Sequence, residues 1–104
     1  MLSESILLLA TLAAHADLQG PMLRADTTKP LSVFGSCFVA DQEQASRPWS
    51  FVPNGRGGVF SDAGARGVTA PYRLQVREDG RSNEILLFAA AGSDQVVRAV
   101  ERCR

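Results

Sequence analysis

The chain has 104 residues, 45% of them hydrophobic and 21% charged, which allows one packed core and excludes both a second domain of ordinary size and an intrinsically disordered polymer. Eleven Lys and Arg balance eleven Asp and Glu, so the formal net charge is zero. Without an overall field, the chain lacks the electrostatic footprint of a dedicated nucleic-acid or anionic-membrane binder.

The first expected element is a leader. Ile6 to Ala14 reads Ile-Leu-Leu-Leu-Ala-Thr-Leu-Ala-Ala, and Ala14-His15-Ala16 forms an A-x-A triplet ahead of Asp17. An apolar run of about 7–15 residues before such a triplet matches a secretory signal peptide, here 1–16. The run is shorter than the roughly 20 apolar residues that cross a bilayer. No cysteine follows it to carry a lipid, so a stable membrane anchor is not expected. Against a leader, 1–5 has no Lys or Arg and includes Glu4. The alternative is an N-terminal helix packed on a partner in a cytoplasmic subunit. The expected location is therefore periplasmic or secreted if the leader is cleaved, and cytoplasmic if it is not.

Residues 17–29, with Gly20-Pro21 and Thr27-Thr28, show little periodicity and read as an irregular arm before a single domain over 30–104. From Leu31, the residues Leu31, Phe34, Cys37, Phe38 and Ala45 fall on one helical stripe, with Asp41, Glu43 and Gln44 as polar helix formers. The stripe runs from Leu31 to Ser46; Pro30 suits its first turn and Pro48 stops it. Trp49-Ser50-Phe51-Val52-Pro53 and Gly58-Val59-Phe60-Ser61 are short strand-like runs joined by Asn54-Gly55-Arg56-Gly57, a hairpin connection. A second loop covers 62–69. Tyr72-Arg73-Leu74-Gln75-Val76-Arg77 alternates strictly, which buries Tyr72, Leu74 and Val76 and turns Arg73, Gln75 and Arg77 outward. After a turn at Asp79-Gly80, Ile85 to Ala89 is unbroken apolar chain and predicts a central strand covered on both faces.

Ser93 can cap a last helix that carries Val96, Val100 and Cys103 on one face, with Gln95, Arg98 and Arg102 outward. The expected fold is α+β in the order α-β-β-β-β-α, a four-stranded antiparallel sheet with both helices on one face. Each cysteine then sits on the apolar stripe of its own helix, and two helices side by side would join Cys37 to Cys103 as one disulfide. A loop of that length stabilises by roughly 4 kcal/mol, and such bridges persist in oxidising compartments.

Catalytic chemistry is thin. His15 is the one histidine and leaves with the leader, which removes Ser-His-Asp and Cys-His mechanisms and His-ligated metals. No C-x-x-C is present, so neither a redox pair nor a metal or other cofactor is expected. Asp41 and Glu43 point to different helix faces, and the remaining acids read as solvated, with Asp62 and Glu84 the only loop or strand-entry pair open to convergence. Asn54 to Gly58 resembles an anion nest but lacks the residues of a phosphate loop. Arg73, Gln75 and Arg77, with Asn54 and Arg56 in the hairpin, form the candidate binding surface, against the plainer reading of a solvated strand face and a turn. Trp49 beside Phe51 reads as core or sheet edge, or as a ligand-stacking platform. The resulting expectation is a monomeric, non-enzymatic, exported binding or accessory domain, its partner another exported protein. The rivals are a small carboxylate-dependent enzyme and the cytoplasmic subunit already named.

Overall fold

The structure, a computed structural model, describes residues 20–64, 70–90 and 92–104. The expected leader, the start of the arm and most of the second loop lie outside the described residues. The element order is β1 (Leu23–Thr27), α1 (Leu31–Gln44), β2 (Ser50–Asn54), β3 (Gly57–Asp62), β4 (Tyr72–Asp79), β5 (Ser82–Ala89) and α2 (Asp94–Cys103). All neighbouring strands are antiparallel, in the spatial order β1-β5-β4-β3-β2. The fold is α+β with two helices, as expected, but the sheet has five strands rather than four.

The extra strand is β1, which lies inside the segment read as an irregular arm. Leu23, Ala25 and Thr27 alternate with Arg24 and Asp26, and Ala25 and Thr27 are buried. Two of its three inward residues are small or polar, so the alternation carries little hydrophobic contrast. The register of β1 on β5 runs from Leu23 opposite Leu87 to Thr27 opposite Asn83. Its presence makes β5 an interior strand, as the apolar run from Ile85 implies. The second face of β5 is not covered by a described helix, however. Leu86 and Phe88 are half-buried there, and the Arg73 guanidinium lies 4.5 Å from the centre of the Phe88 ring.

β4 follows the alternation read from its sequence: Tyr72, Leu74 and Val76 are buried, and Arg73, Gln75 and Arg77 lie on the opposite face. α2 buries Val96, Val100 and Cys103 completely, together with Ala99. Ser93 does not cap α2 through its side chain; its hydroxyl donates instead to the Ala90 carbonyl at 2.6 Å. α1 buries Phe34, Phe38 and Gln42, one per turn, so an amide occupies the third position of the stripe.

α1 ends well before Pro48. Ser46 adopts φ 55, its N–H donates to the Glu43 carbonyl, and the Arg47 N–H donates to the Gln42 carbonyl at 2.9 Å. These are the two bonds of a Schellman motif, with Ser where glycine is usual. The left-handed residue reverses the chain and drives Arg47 inward.

Cys37 and Cys103 are joined, with Cα atoms 5.6 Å apart. The bridge ties α1 to α2 where both pack on the sheet. Lys29 adds a tether by donating from Nζ to the Cys103 carbonyl at 3.0 Å, which offsets the partial negative charge at the end of α2. Arg102 of α2 pairs with Asp41 of α1.

Two helices about 10 Å across cover roughly four strands spaced about 4.8 Å apart. α2 lies toward β1: its last turn accepts from Lys29, just beyond that strand, and Arg104 donates to the Asp26 carbonyl within it, whereas α1 lies toward β3, where Gly35 and Phe38 meet Phe60. The fifth strand, β2, is left uncovered by the described helices. All five of its residues are exposed.

Candidate functional site: an apolar groove beside strand β2

The uncovered strand and the flank of α1 enclose a groove of about 570 Å³. Leu31, Gly35 and Val39 form its helical wall, Phe60 its floor, and Trp49 and Phe51 its outer rim. Among the described residues lining it, none has an ionisable side chain; Ser32 and Ser36 add two hydroxyls. Trp49 is 39% and Phe51 41% exposed, although each is a large apolar side chain that folding would ordinarily bury.

Two glycines shape the groove. A Cβ on Gly58 would sit 2.3 Å from Cζ of Phe51, so only glycine lets that ring lie down across β3. There it packs on Phe60 with ring centres 4.6 Å apart. A Cβ on Gly35 would reach 3.2 Å from Cζ of Phe60, so glycine also keeps the helical wall low. The Gly35 that weakens the sequence-based case for a helix is thus the residue that opens the groove.

The main chain of β2 is also available. Asn54 and Gly57 pair across a two-residue turn whose first residue, Gly55, has φ 58, the glycine position of a tight hairpin. The pair flanking such a turn is hydrogen-bonded, so Ser50, Val52 and Asn54 bond to β3 while Phe51 and Pro53 aim their main-chain groups at the open edge. Pro53, lacking an N–H, occupies a position where no ladder bond is lost.

A second cluster sits at the other end of the inner face and is buried. Arg47, 8% exposed, donates from Nη2 to Oδ2 of Asp62 at 3.5 Å and to the Ala70 carbonyl at 2.8 Å. From Nη1 it reaches Oε1 of Gln95 at 3.4 Å. Asp62 also accepts from the Gly64 N–H at 2.8 Å. The guanidinium lies 5.7 Å from the Tyr72 ring centre. Burial, reinforced by the Asp62 carboxylate and opposed by Arg47, holds the Tyr72 phenol above its ordinary pKa. Asp62 is therefore not a solvated acid, contrary to the sequence reading. It ends β3 on the inner face, where the adjacent Schellman turn delivers Arg47. Glu84 lies on the outer face, where it pairs with Arg77 at 3.1 Å and Arg24 at 3.6 Å, so the two carboxylates are on opposite sides of the sheet. Gln95 is half-buried rather than outward because Arg47 draws it in.

The residues picked as a surface from the sequence are all on or beside the outer face. Arg73 lies on Phe88, Gln75 is half-buried beside Leu86, and Arg77 is engaged with Glu84. Asn54 and Arg56 are exposed at the β2–β3 turn. They do not border the groove, whose rim is Trp49 and Phe51. Among the described residues, no group of three or more His, Cys, Asp and Glu is placed to hold a metal, and no helix is long and apolar enough to cross a membrane. Comparison of the chain with protein-family models, curated proteins and solved structures gave no match in any of the three.

Proposed function

We propose that this chain is a small non-enzymatic binding domain that acts through the groove between α1 and β2 and serves an oxidising, extracytoplasmic compartment. The observation that carries this reading is the pair Trp49 and Phe51, exposed at the rim of an uncharged groove of about 570 Å³. Apolar sites of this size with aromatic walls are what small apolar groups enter, and aromatic rims carry much of the energy of such contacts. The Cys37–Cys103 bridge supports the compartment, because such bridges persist where thiols are not kept reduced. The outer-face cluster of Arg73, Gln75, Arg77, Asn54 and Arg56 remains a secondary surface for a polar partner, its charge diluted by Glu84 and Glu78.

Trp49 is the chain's one tryptophan, so its fluorescence reports the groove directly. Titration with 1-anilinonaphthalene-8-sulfonate should quench Trp49 by energy transfer, and Phe51→Glu should weaken that binding by about tenfold while leaving the far-ultraviolet dichroism unchanged. Equal binding to both proteins would remove the groove as the site.

A further inference from the structure

Three observations narrow the groove's occupant. The first is electrical: none of the described residues lining the groove is ionisable, so among them an inserted charge would meet no partner and lose its hydration. An uncharged apolar group is the complementary filling. The second is the open edge of β2, where the N–H of Phe51 and the carbonyls of Phe51 and Pro53 face away from β3. A fatty acyl chain leaves those groups to water, whereas a peptide main chain can bond to them. The third is area. With side-chain surfaces of about 150–250 Å² each, the exposed fractions of Trp49 and Phe51, 39% and 41%, offer about 120–200 Å² together. A stable dimer buries about 800 Å² on each partner. A second copy would therefore have to bury surface well beyond these two rings.

Pro53 points the same way. Two β2 strands paired antiparallel about Phe51 would each bring a proline without an N–H to the new ladder, so two bonds would be missing. An incoming strand from elsewhere meets one proline and loses one bond. The edge is therefore blunted more strongly against itself than against a foreign strand.

We infer that the occupant is an extended peptide segment that adds to the sheet as a sixth strand beside β2 and places one uncharged apolar side chain in the groove between Trp49, Phe51 and α1. The main chain supplies sequence-independent bonds at Phe51 and Pro53. The side chain opposite Phe51 lies on the same face as that ring, since alternate residues of a strand share a face. Selectivity then concerns the size of one side chain at a fixed position and the lack of charge there. This inference rests on the groove being a binding site.

The test uses the whole chain and an array of hexapeptides in which threonine alternates with a varied central residue, drawn from Leu, Ile, Val, Phe, Met, Asp and Lys. Peptides with an apolar centre should bind and quench Trp49, and those with Asp or Lys should not. Methylating the tightest peptide on one backbone nitrogen at a time should weaken binding by about tenfold at alternate positions only, the period of a strand edge. Hydrogen exchange of the Phe51 amide should slow by about tenfold or more in the complex. Pro53→Ala, which restores an edge N–H, should tighten the peptide by a few fold. If the anilinonaphthalene probe occupies the groove but no peptide binds, or if methylation has the same effect at every position and Phe51 exchange is unchanged, strand addition is wrong and the groove reading survives. If neither probe nor peptide reaches Trp49, both fall. A concentration-dependent dimer that peptide dissolves would instead make the second copy the occupant and overturn the inference.

Discussion

β1 and β2 are the two edges of one sheet, and they invert the usual relation between hydrophobicity and burial. β1 turns Ala25 and Thr27 inward, 8% and 5% exposed, whereas β2 turns Phe51 inward and leaves it 41% exposed. The difference lies in what is overhead. α2 lies toward β1 and is fastened there by Lys29 and by the bridge to α1, so small side chains suffice beneath it. Neither described helix covers β2, whose five residues are all exposed. Burial in a two-layer fold is thus set by the roof as much as by the residue, and a strand richer in aromatic side chains than its roof can cover keeps apolar surface in water.

The sharpest way to break this comparison is to truncate one phenylalanine from each side. Phe38 is fully buried and its ring meets Phe34, Phe60 and Tyr72. Phe38→Ala should cost about 3–5 kcal/mol. Phe51→Ser should cost about 1–2 kcal/mol, since 41% of that residue is already in water. Denaturant melts of the two variants give both numbers, and equal losses would mean that β2 is covered in solution.

The closed side has a second determinant of similar size. Arg47 and Asp62 form a buried pair, with side-chain exposures of 7% and 0%. Arg47→Ala takes the cation away from a buried carboxylate, which keeps the Gly64 N–H, and should cost about 3–5 kcal/mol. The Arg47→Met, Asp62→Leu double variant should recover most of that, because removing both charges also removes their desolvation. A double variant no more stable than Arg47→Ala would show that Arg47 acts through its bonds to Ala70 and Gln95.

The disulfide comes next. Cys103→Ser should remove about 2–5 kcal/mol. Reduction should lower the melting temperature of the native chain and leave that of Cys103→Ser nearly unchanged, because only the native chain has a loop to open. Identical melting of the native chain with and without reductant would mean that the bridge does not constrain the fold.

How far the sequence foretells all this depends on whether local contrast or tertiary cover decides. The alternation of β4, the Val96, Val100 and Cys103 face of α2, and the pairing of Cys37 with Cys103 were legible, because large apolar residues recur there at the period of their element. β1 was not, because Ala25 and Thr27 give its alternation almost no amplitude. The end of α1 was legible to within two residues, since the stripe runs as far as Ser46 and the helix ends at Gln44. The Schellman turn was not, because glycine is the usual signal for a left-handed residue and position 46 is serine. Asp62 looked like a loop acid because its partner, Arg47, lies fifteen residues away in sequence and meets it only after the turn at Ser46. The groove was half legible. Trp49 and Phe51 stood out as aromatic residues at a sheet edge, but which strand goes uncovered follows from where two helices fall on five strands.

Tyr72 sharpens the contrast from the solvent's side. It is the chain's one tyrosine and is 4% exposed, so its ionisation reports access to the closed end. Burial, then Asp62, raises its pKa in the folded protein above the unfolded value of about 10. The neutral form is thus the one that folding favours, and its contribution is fully present below pH 10. Above that pH the unfolded chain releases a proton that the folded chain retains, and stability should fall by about 1.4 kcal/mol per pH unit. Absorbance at the tyrosinate band should stay flat in the native protein past pH 10 and rise together with unfolding. A rise near pH 10 in protein that is still folded would mean that water reaches the Tyr72 hydroxyl.

The smallest expected effect lies at the junction of the two regions. Ser46 holds φ 55 so that Arg47 can turn inward toward Asp62 while the chain continues to Trp49 and β2. A left-handed conformation costs an L-residue roughly 1–2 kcal/mol. Ser46→Gly removes that cost but gives the unfolded chain more freedom, by about 0.5–1 kcal/mol. The two terms leave a net gain between about 0 and 1.5 kcal/mol, with both Schellman bonds retained. Denaturant midpoints should shift upward with an unchanged slope, and Trp49 emission should stay the same, because the path into β2 is unaltered. A loss of stability would show that the Ser46 side chain contributes at this turn, and a shifted Trp49 spectrum would show that the turn also sets the position of the groove's rim.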